Sequence, residues 1–225
     1  MHLANLRWWI YCSGRWPRYF LKEATVIEIG SANINGSIRP IFDAEEYLGV
    51  DWREDRDVDY VALAHKLPGE DEWDAVVSAS MLEHDPHWRA SLTKMVKLLR
   101  SNGALFLSWG VAGNPRHCAP QSPDYAEAKA RGDHLELHHA RPAGQVLELL
   151  ESLGMHLQEF RYEDSLPFNR GLKDGILVWD GKALPRQFGA QYPLTAENFA
   201  VLVAFKSRML LSDPRFIDAL RPADQ

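Results

Sequence analysis

The chain has 225 residues, 46% of them hydrophobic, and a formal net charge of −6. That length suits one large α/β domain, and that hydrophobic share supports a sizeable core and excludes general disorder. The acidic balance disfavours nucleic acid as a partner, because phosphate-binding proteins carry a basic excess or stripe and the basic clustering here, Arg7, Arg15 and Arg18, is weak.

No apolar run approaches the roughly 20 residues a membrane span needs. The opening stretch lacks the small-residue cleavage site of a signal peptide. Only Cys12 and Cys118 are present, far apart, so neither a disulfide framework nor a zinc cluster is expected, and the reducing cytoplasm is the expected location.

Residues 1–23 hold Trp8, Trp9 and Trp16, and Leu3, Leu6 and Ile10 fit one helical face. This aromatic helix either packs on the edge of the domain or closes as a lid over a substrate pocket. A Trp-rich surface equally suits a homodimer contact. Residues 24–225 are expected to form the main domain.

Short strands then alternate with helices. Thr25 to Ile29 predicts a buried strand ending in Gly30, and Ile34 to Phe42 could open a helix. Tyr47 to Val50 is a second strand, closed by Asp51. Asp59 to Leu63 and Trp73 to Ser78 are the third and fourth. Pro86 to Arg100 shows helical spacing, with Asn102-Gly103 expected to stop it through a left-handed glycine. Ala104 to Trp109 is the fifth strand. Pro142 to Leu153 is another helix, stopped by Gly154. Met155 to Tyr162 and Phe199 to Phe205 complete the set. The alternation predicts an α/β fold, a Rossmann-like, seven-stranded, mostly parallel sheet flanked by helices. Insertions at about residues 110–140 and 163–198 break the rhythm and are expected to wall the substrate side.

In such sheets ligands bind beyond the carboxyl ends of the strands. Gly30 allows a sharp turn and a close backbone approach. The run Gly30-Ser31-Ala32 is not the GxGxxG that cradles a pyrophosphate, which favours S-adenosylmethionine (SAM) over NAD. Asp51 lies about 20 residues beyond, the separation expected of an acid that binds ribose hydroxyls. Glu28 sits inside an apolar strand, where a carboxylate needs a cationic ligand, backbone amides or a structural network as partner.

The run VIEIGSANINGSIRP, then YLGVD, then AHKLP, then WDAVVSASMLEH, resembles the class I SAM-dependent methyltransferases. It is most similar to the small-molecule branch, methyltransferase type 11, that includes ubiquinone and menaquinone biosynthesis enzymes. The resemblance covers Thr25 to Trp109. It implies SAM as cofactor and a methyl group delivered to O or N of a small-molecule acceptor. It places Glu28 and Gly30 at the methionine end, with Ser31 in the same cofactor-binding turn, Asp51 on the ribose, Ala64 and His65 beside the adenine, and the backbone of Ser80 at the methionine amino group. Met81-Leu82-Glu83-His84 would lie next to the transferred methyl. Leu63 stands where many relatives have an acid for the adenine amino group, which leaves backbone groups and the side chains of His65 or Trp52 to recognise the base.

Methyl transfer needs a near-attack geometry and, for some acceptors, a base, for which His suits neutral pH. The candidates are His84, His87, His117, His134, His138 and His139, with His84, His117 and His138 foremost. His134, His138 and His139, with Asp133 and Glu136, could also hold a metal, though the set is unlike a recognisable site. No [DNS]-Pro-Pro-[FYW] follows the fourth strand and no Pro-Cys nucleophile is present. Rival readings are methylation of a glycan, tRNA or protein, a non-catalytic SAM-binding protein, and a nucleotide-sugar or NAD enzyme on the same sheet.

Overall fold

Five residues rich in β-branched side chains, TVIEI, form the first strand, β1 (Thr25–Ile29), with every position but the first buried. The computed structural model describes residues 3–34, 36–111, 141–163, 170–173, 176–179, 182–183 and 199–206. Around β1 lie β2 (Glu46–Asp51), β3 (Tyr60–Val61), β4 (Trp73–Ala79), β5 (Leu99–Gly110), β6 (His156–Glu163) and β10 (Phe199–Phe205). They form one seven-stranded sheet in the order β3-β2-β1-β4-β5-β10-β6. Strands β1 to β5 pair in parallel, and β10 runs antiparallel to both β5 and β6. The expected mostly parallel sheet is therefore present. The chain winds outward from β1 through β2 to β3, then returns to the other side of β1 at β4, so strand order reverses between β1 and β4.

Side chains alternate between the two faces of the sheet. On one face Ile27, Ile29, Val76, Leu105 and Leu107 pack beneath α2 (Trp88–Leu98) and α3 (Ala143–Ser152). Trp88, Leu92 and Met95 recur at helical spacing and form the buried stripe of α2. On the other face Val26, Val77, Phe106, Val203 and Phe205 pack against Trp8, Trp9 and Trp16 of α1 (Leu3–Arg15) and the short 3₁₀ turn that follows it. Of the described residues, Trp9 and Cys12 are fully buried, whereas Ile10 and Tyr11 point outward. No described helix is long and apolar enough to cross a membrane.

Two local expectations are corrected. Among its described residues, the stretch Ile34 to Phe42 forms a 3₁₀ turn, Arg39–Ile41, rather than an α-helix. Its amides find other partners: Gly36 donates to the side chain of Asn33 at 3.0 Å, and Arg39 to that of Ser37 at 3.1 Å. Nor does Asn102-Gly103 cap α2. The helix ends at Leu98, Leu99 is already extended, and Gly103 lies inside β5 without a positive φ. A β carbon at Gly103 would sit 3.0 Å from the carbonyl oxygen of Trp73, so glycine serves close strand approach there. Gly154, by contrast, stops α3 as expected, at φ +77°, with its amide donating to Glu151 and that of Met155 to Leu150. Within the region 163–198, β7 (Arg170–Lys173), β8 (Ile176–Trp179) and β9 (Lys182–Ala183) form a separate antiparallel sheet.

Candidate functional site

The reversal of strand order opens a crevice at the carboxyl ends of β1 and β4, the usual ligand position in an open α/β sheet. β1 ends in Gly30 at φ +86°. A β carbon there would lie 2.5 Å from the Cβ of Met81, in the segment after β4. Both backbone conformation and close approach therefore demand glycine. The amides of Gly30 and Ser31 donate to Val50 at 2.8 and 3.1 Å, which fastens the turn to β2. The Ser31 hydroxyl is buried without a hydrogen-bond partner and lies beside Gly49.

Asp51 closes β2 and is 9% exposed. One carboxylate oxygen accepts from the amide of Ala32 at 3.2 Å, which binds the ends of two adjacent strands. Burial raises its pKa, and the amides of Ala32 and Arg53 work against that rise. Further aspartates extend the pattern. Asp55 accepts from the amide of Asn33 at 3.3 Å, and Asp57 accepts from the Asn33 side chain. In place of a helix after the glycine turn, the loop is held by carboxylates from the far side of β2.

Glu28 is 3% exposed. Its carboxyl accepts from the Tyr47 hydroxyl at 2.7 Å, so a structural partner is present within the sheet. Burial pushes the carboxyl up to about 7 and the Tyr47 hydroxyl upward as well. The Arg39 guanidinium lies 5.0 Å from the Tyr47 ring centroid and pairs with Asp59 at 3.0 Å. Asp59 also accepts from the amide of Gly49 at 2.7 Å.

Beyond β2, Trp52 is half-buried, with the Arg53 guanidinium 5.5 Å from its ring centroid. Ala64 and His65 lie in a 3₁₀ turn, Ala64–Lys66. The amide of Ala62 donates to the Asp51 carbonyl at 2.8 Å, which draws this turn toward the end of β2. The rings of His65 and His87 lie 4.6 Å apart, tilted by 47°, and link the turn to the start of α2.

After β4, Ser80 takes φ +58°, which is strained for a residue with a side chain, and its amide donates to Ser108 of β5 at 2.8 Å. Next to it is a feature that sequence reasoning passed over in favour of its neighbour. Glu83 is 0% exposed. Burial pushes this carboxyl up to about 7. Against that rise, the amides of Glu83 itself and of Gly110 hydrogen-bond the carboxyl and the charge of Arg141 favours its anion. A carboxylate directly after the apolar pair Met81-Leu82 was the available signal. His84, half-buried, donates its amide to Met81 at 2.9 Å in the same turn. Arg141 clasps this turn from the start of α3: its guanidinium donates to the carbonyls of Leu82 at 3.0 Å and Asp85 at 2.8 Å, and its own carbonyl accepts from the Trp109 indole at 3.1 Å.

The structure thus brings Gly30, Ser31, Asp51 and Ser80 to neighbouring strand ends, with Glu28 one strand turn below. His117, His134, His138 and His139 lie outside the described residues. Among the described residues, no group of three His, Cys, Asp or Glu side chains could hold a metal ion.

No known sequence family model matches the chain, and no curated protein matches its sequence. Solved structures do match. The chain is similar to the Burkholderia thailandensis 1,6-didemethyltoxoflavin-N1-methyltransferase, solved with S-adenosylhomocysteine (SAH), at a TM-score of 0.55 and 17% identity, over 91% of this chain and 79% of that one. It is similar to an S-adenosylmethionine-dependent methyltransferase from Mesorhizobium loti at 0.52 and 15%, over 87% and 99%. It is also similar to the [4+2]-cyclase SpnF at 0.56 and 14%, over 89% and 81%. At these identities the likeness speaks for architecture, and the architecture is the Rossmann-like fold of the SAM-dependent methyltransferases.

Proposed function

We propose that the chain binds SAM and transfers a methyl group to O or N of a small-molecule acceptor. One observation carries this reading. A left-handed glycine turn with no room for a β carbon lies beside a buried acid on the adjacent strand end, at the point where strand order reverses. The residues fit the cofactor: the turn offers backbone at close range, and Asp51 offers an acceptor for paired ribose hydroxyls. The proteins of similar fold that bind or use this cofactor add support.

When bound, SAM supplies an electrophilic methyl group on a sulfonium. Asp51 would hold the ribose, Gly30 and the backbone of Ser80 the methionine end, and Trp52, Ala64 and His65 the adenine. In-line displacement needs positioning above all. The Arg141 clasp holds the turn that carries His84, which would orient the acceptor or take its proton. His117 and His138 remain candidates for the same task. A small acceptor accords with the toxoflavin precursor bound by one structural relative. The reading includes residence in the cytoplasm.

A second reading is catalysis without methyl transfer on the same fold, which the likeness to a [4+2]-cyclase brings forward. Calorimetric titration with SAM, SAH and NAD tests the cofactor. Binding of the first two and not the third is expected, and the reverse overturns the proposal. Asp51→Ala should weaken SAH binding by about tenfold or more, as expected for a charge-assisted bidentate contact. Unchanged affinity would remove Asp51 from the ribose.

A further inference from the structure

Two histidines from separate elements meet beside the carboxyl ends of the strands. His65 stands in the 3₁₀ turn Ala64–Lys66 that follows β3, and His87 is the N-cap of α2, the helix that follows β4. Their ring centroids lie 4.6 Å apart, with the planes tilted by 47°. His65 is half-buried and His87 exposed, so solutes reach the pair from solvent. Backbone contacts fix both positions. The amide of Lys66 donates to Leu63 at 2.9 Å, and that of His87 to the Asp85 carboxylate at 2.7 Å. The side chain of His87 makes no capping bond to the helix it begins, which leaves its imidazole for other work.

The spacing of the rings is that of two ligands on one ion. An imidazole nitrogen binds a divalent transition ion at about 2.0–2.1 Å, which puts each ring centre about 3.2 Å from the metal. Two such rings at a right angle have centres about 4.5 Å apart, and at a tetrahedral angle about 5.2 Å. The observed 4.6 Å is close to the right-angle value. Neighbouring imidazoles at a right angle belong to the tetragonal sites of Cu(II) and Ni(II) rather than to tetrahedral Zn(II). The pair is not a closed structural site, since no group of three described His, Cys, Asp or Glu side chains forms one. Open positions on the ion take water.

We propose that His65 and His87 form a two-histidine site for a divalent copper or nickel ion. The ion ties the turn Ala64–Lys66 to the first turn of α2. The two imidazoles converge only in the folded chain, so binding stabilises the fold by mass action. The site needs no SAM, and it stands or falls apart from the cofactor reading.

The test is titration calorimetry of the untagged full chain, without cofactor, at pH 7.5, where imidazole is ordinarily neutral. The probes are Ni²⁺, Cu²⁺ and Zn²⁺. His134, His138 and His139 could hold ions of their own, so the readout is the difference between variants rather than the total bound. His87→Ala, His65→Ala and the double variant should each lose the same single Ni²⁺ site. One imidazole without the other forfeits the chelate advantage, about a hundredfold in affinity. Ni²⁺ should also raise the melting temperature of the wild type more than that of His87→Ala. Unchanged Ni²⁺ binding in His87→Ala means adventitious ions only and overturns the inference. So does a site lost in one single variant and kept in the other, or a lost site that prefers Zn²⁺ to Ni²⁺. Should His65→Ala not fold, His87→Ala, altered at an exposed side chain, decides by its binding and melting together.

Discussion

Gly30 shows how much one missing methyl group governs. Its φ of +86° lies in the left-handed region, and a β carbon would press into Met81 at 2.5 Å. The Met81 contact is with Cβ and Cγ, atoms close to the backbone, so a rotamer change cannot clear it. Gly30→Ala therefore combines a left-handed penalty with overpacking, about 3 kcal/mol of stability in all. Urea unfolding measures that loss, and calorimetry should show SAH binding weakened along with it, because the displaced Met81 turn also carries Glu83 and His84. A loss below about 1 kcal/mol would mean the turn relaxes without strain. Gly30 and Asp51 were legible from sequence, since a glycine after one apolar strand and an acid after the next mark strand ends. Glu83 was not. The reading favoured His84 for its neutral-range chemistry, and only the folded chain shows which of two adjacent polar residues is sealed from water.

The helix α1 fills a place that crossover helices leave open. The connections β1–β2 and β3–β4 contain only 3₁₀ turns, Arg39–Ile41 and Ala64–Lys66, among their described residues. The sheet face carrying Val26, Val77, Phe106, Val203 and Phe205 is covered instead by Trp8, Trp9, Trp16, Tyr19 and Phe20. Trp16 meets Phe106 and Phe205 edge to face, with ring centroids 5.9 and 6.5 Å apart. Tyr11 reaches Glu159 of β6 at 2.9 Å, and the Arg161 guanidinium lies 5.0 Å from the Trp8 ring centroid. Trp9→Ala should cost about 3 to 5 kcal/mol, the range for deleting a buried Trp side chain. Trp9→Phe should cost less, because it keeps most of the apolar volume and removes an indole N–H that is buried without a partner. Chemical denaturation of the two variants gives the comparison, and equal losses would show that the indole N–H is satisfied in solution. Strands β1 and β10 were readable to the residue because their apolar runs are short and sharply bounded. The helix expected from Ile34 to Phe42 was not readable, because local side chains, Asn33 and Ser37, take amides within it and remote ones hold the turn that leads into it. The amides of Ala32 and Asn33 are taken by Asp51 and Asp55, about 20 positions away, and periodicity is blind to such partners.

Two buried acids lie near the carboxyl ends of the central strands, Glu28 in β1 and Glu83 on the loop after β4, and the pH response follows from them. Glu28 lies on the α1 face, hydrogen-bonded to Tyr47, and Glu83 lies on the loop clasped by Arg141. Burial pushes both carboxyls from the ordinary 4.5 up to about 7. Between those values the folded protein holds protons that the unfolded chain has released. Stability is therefore highest below about pH 4.5 for these two groups and falls as pH rises to about 7, beyond which no more is lost. Each shift corresponds to at most about 3 kcal/mol, and Asp51, raised in the same direction, adds to the fall. Asp74, whose pKa is lowered, chiefly by the Thr25 amide and Arg100 against the cost of burial, acts oppositely but in a lower pH window. The expected outcome is a melting temperature that drops between pH 5 and pH 7.5. Glu28→Gln, which stays neutral and can still accept from the Tyr47 hydroxyl, should flatten that slope and melt above the wild type at pH 8. A wild-type curve flat across the window, or a Glu28→Gln curve parallel to it, would mean that Glu28 is ionised in the folded protein at neutral pH. Tyr47 and Arg39 would then stabilise its charge rather than its proton.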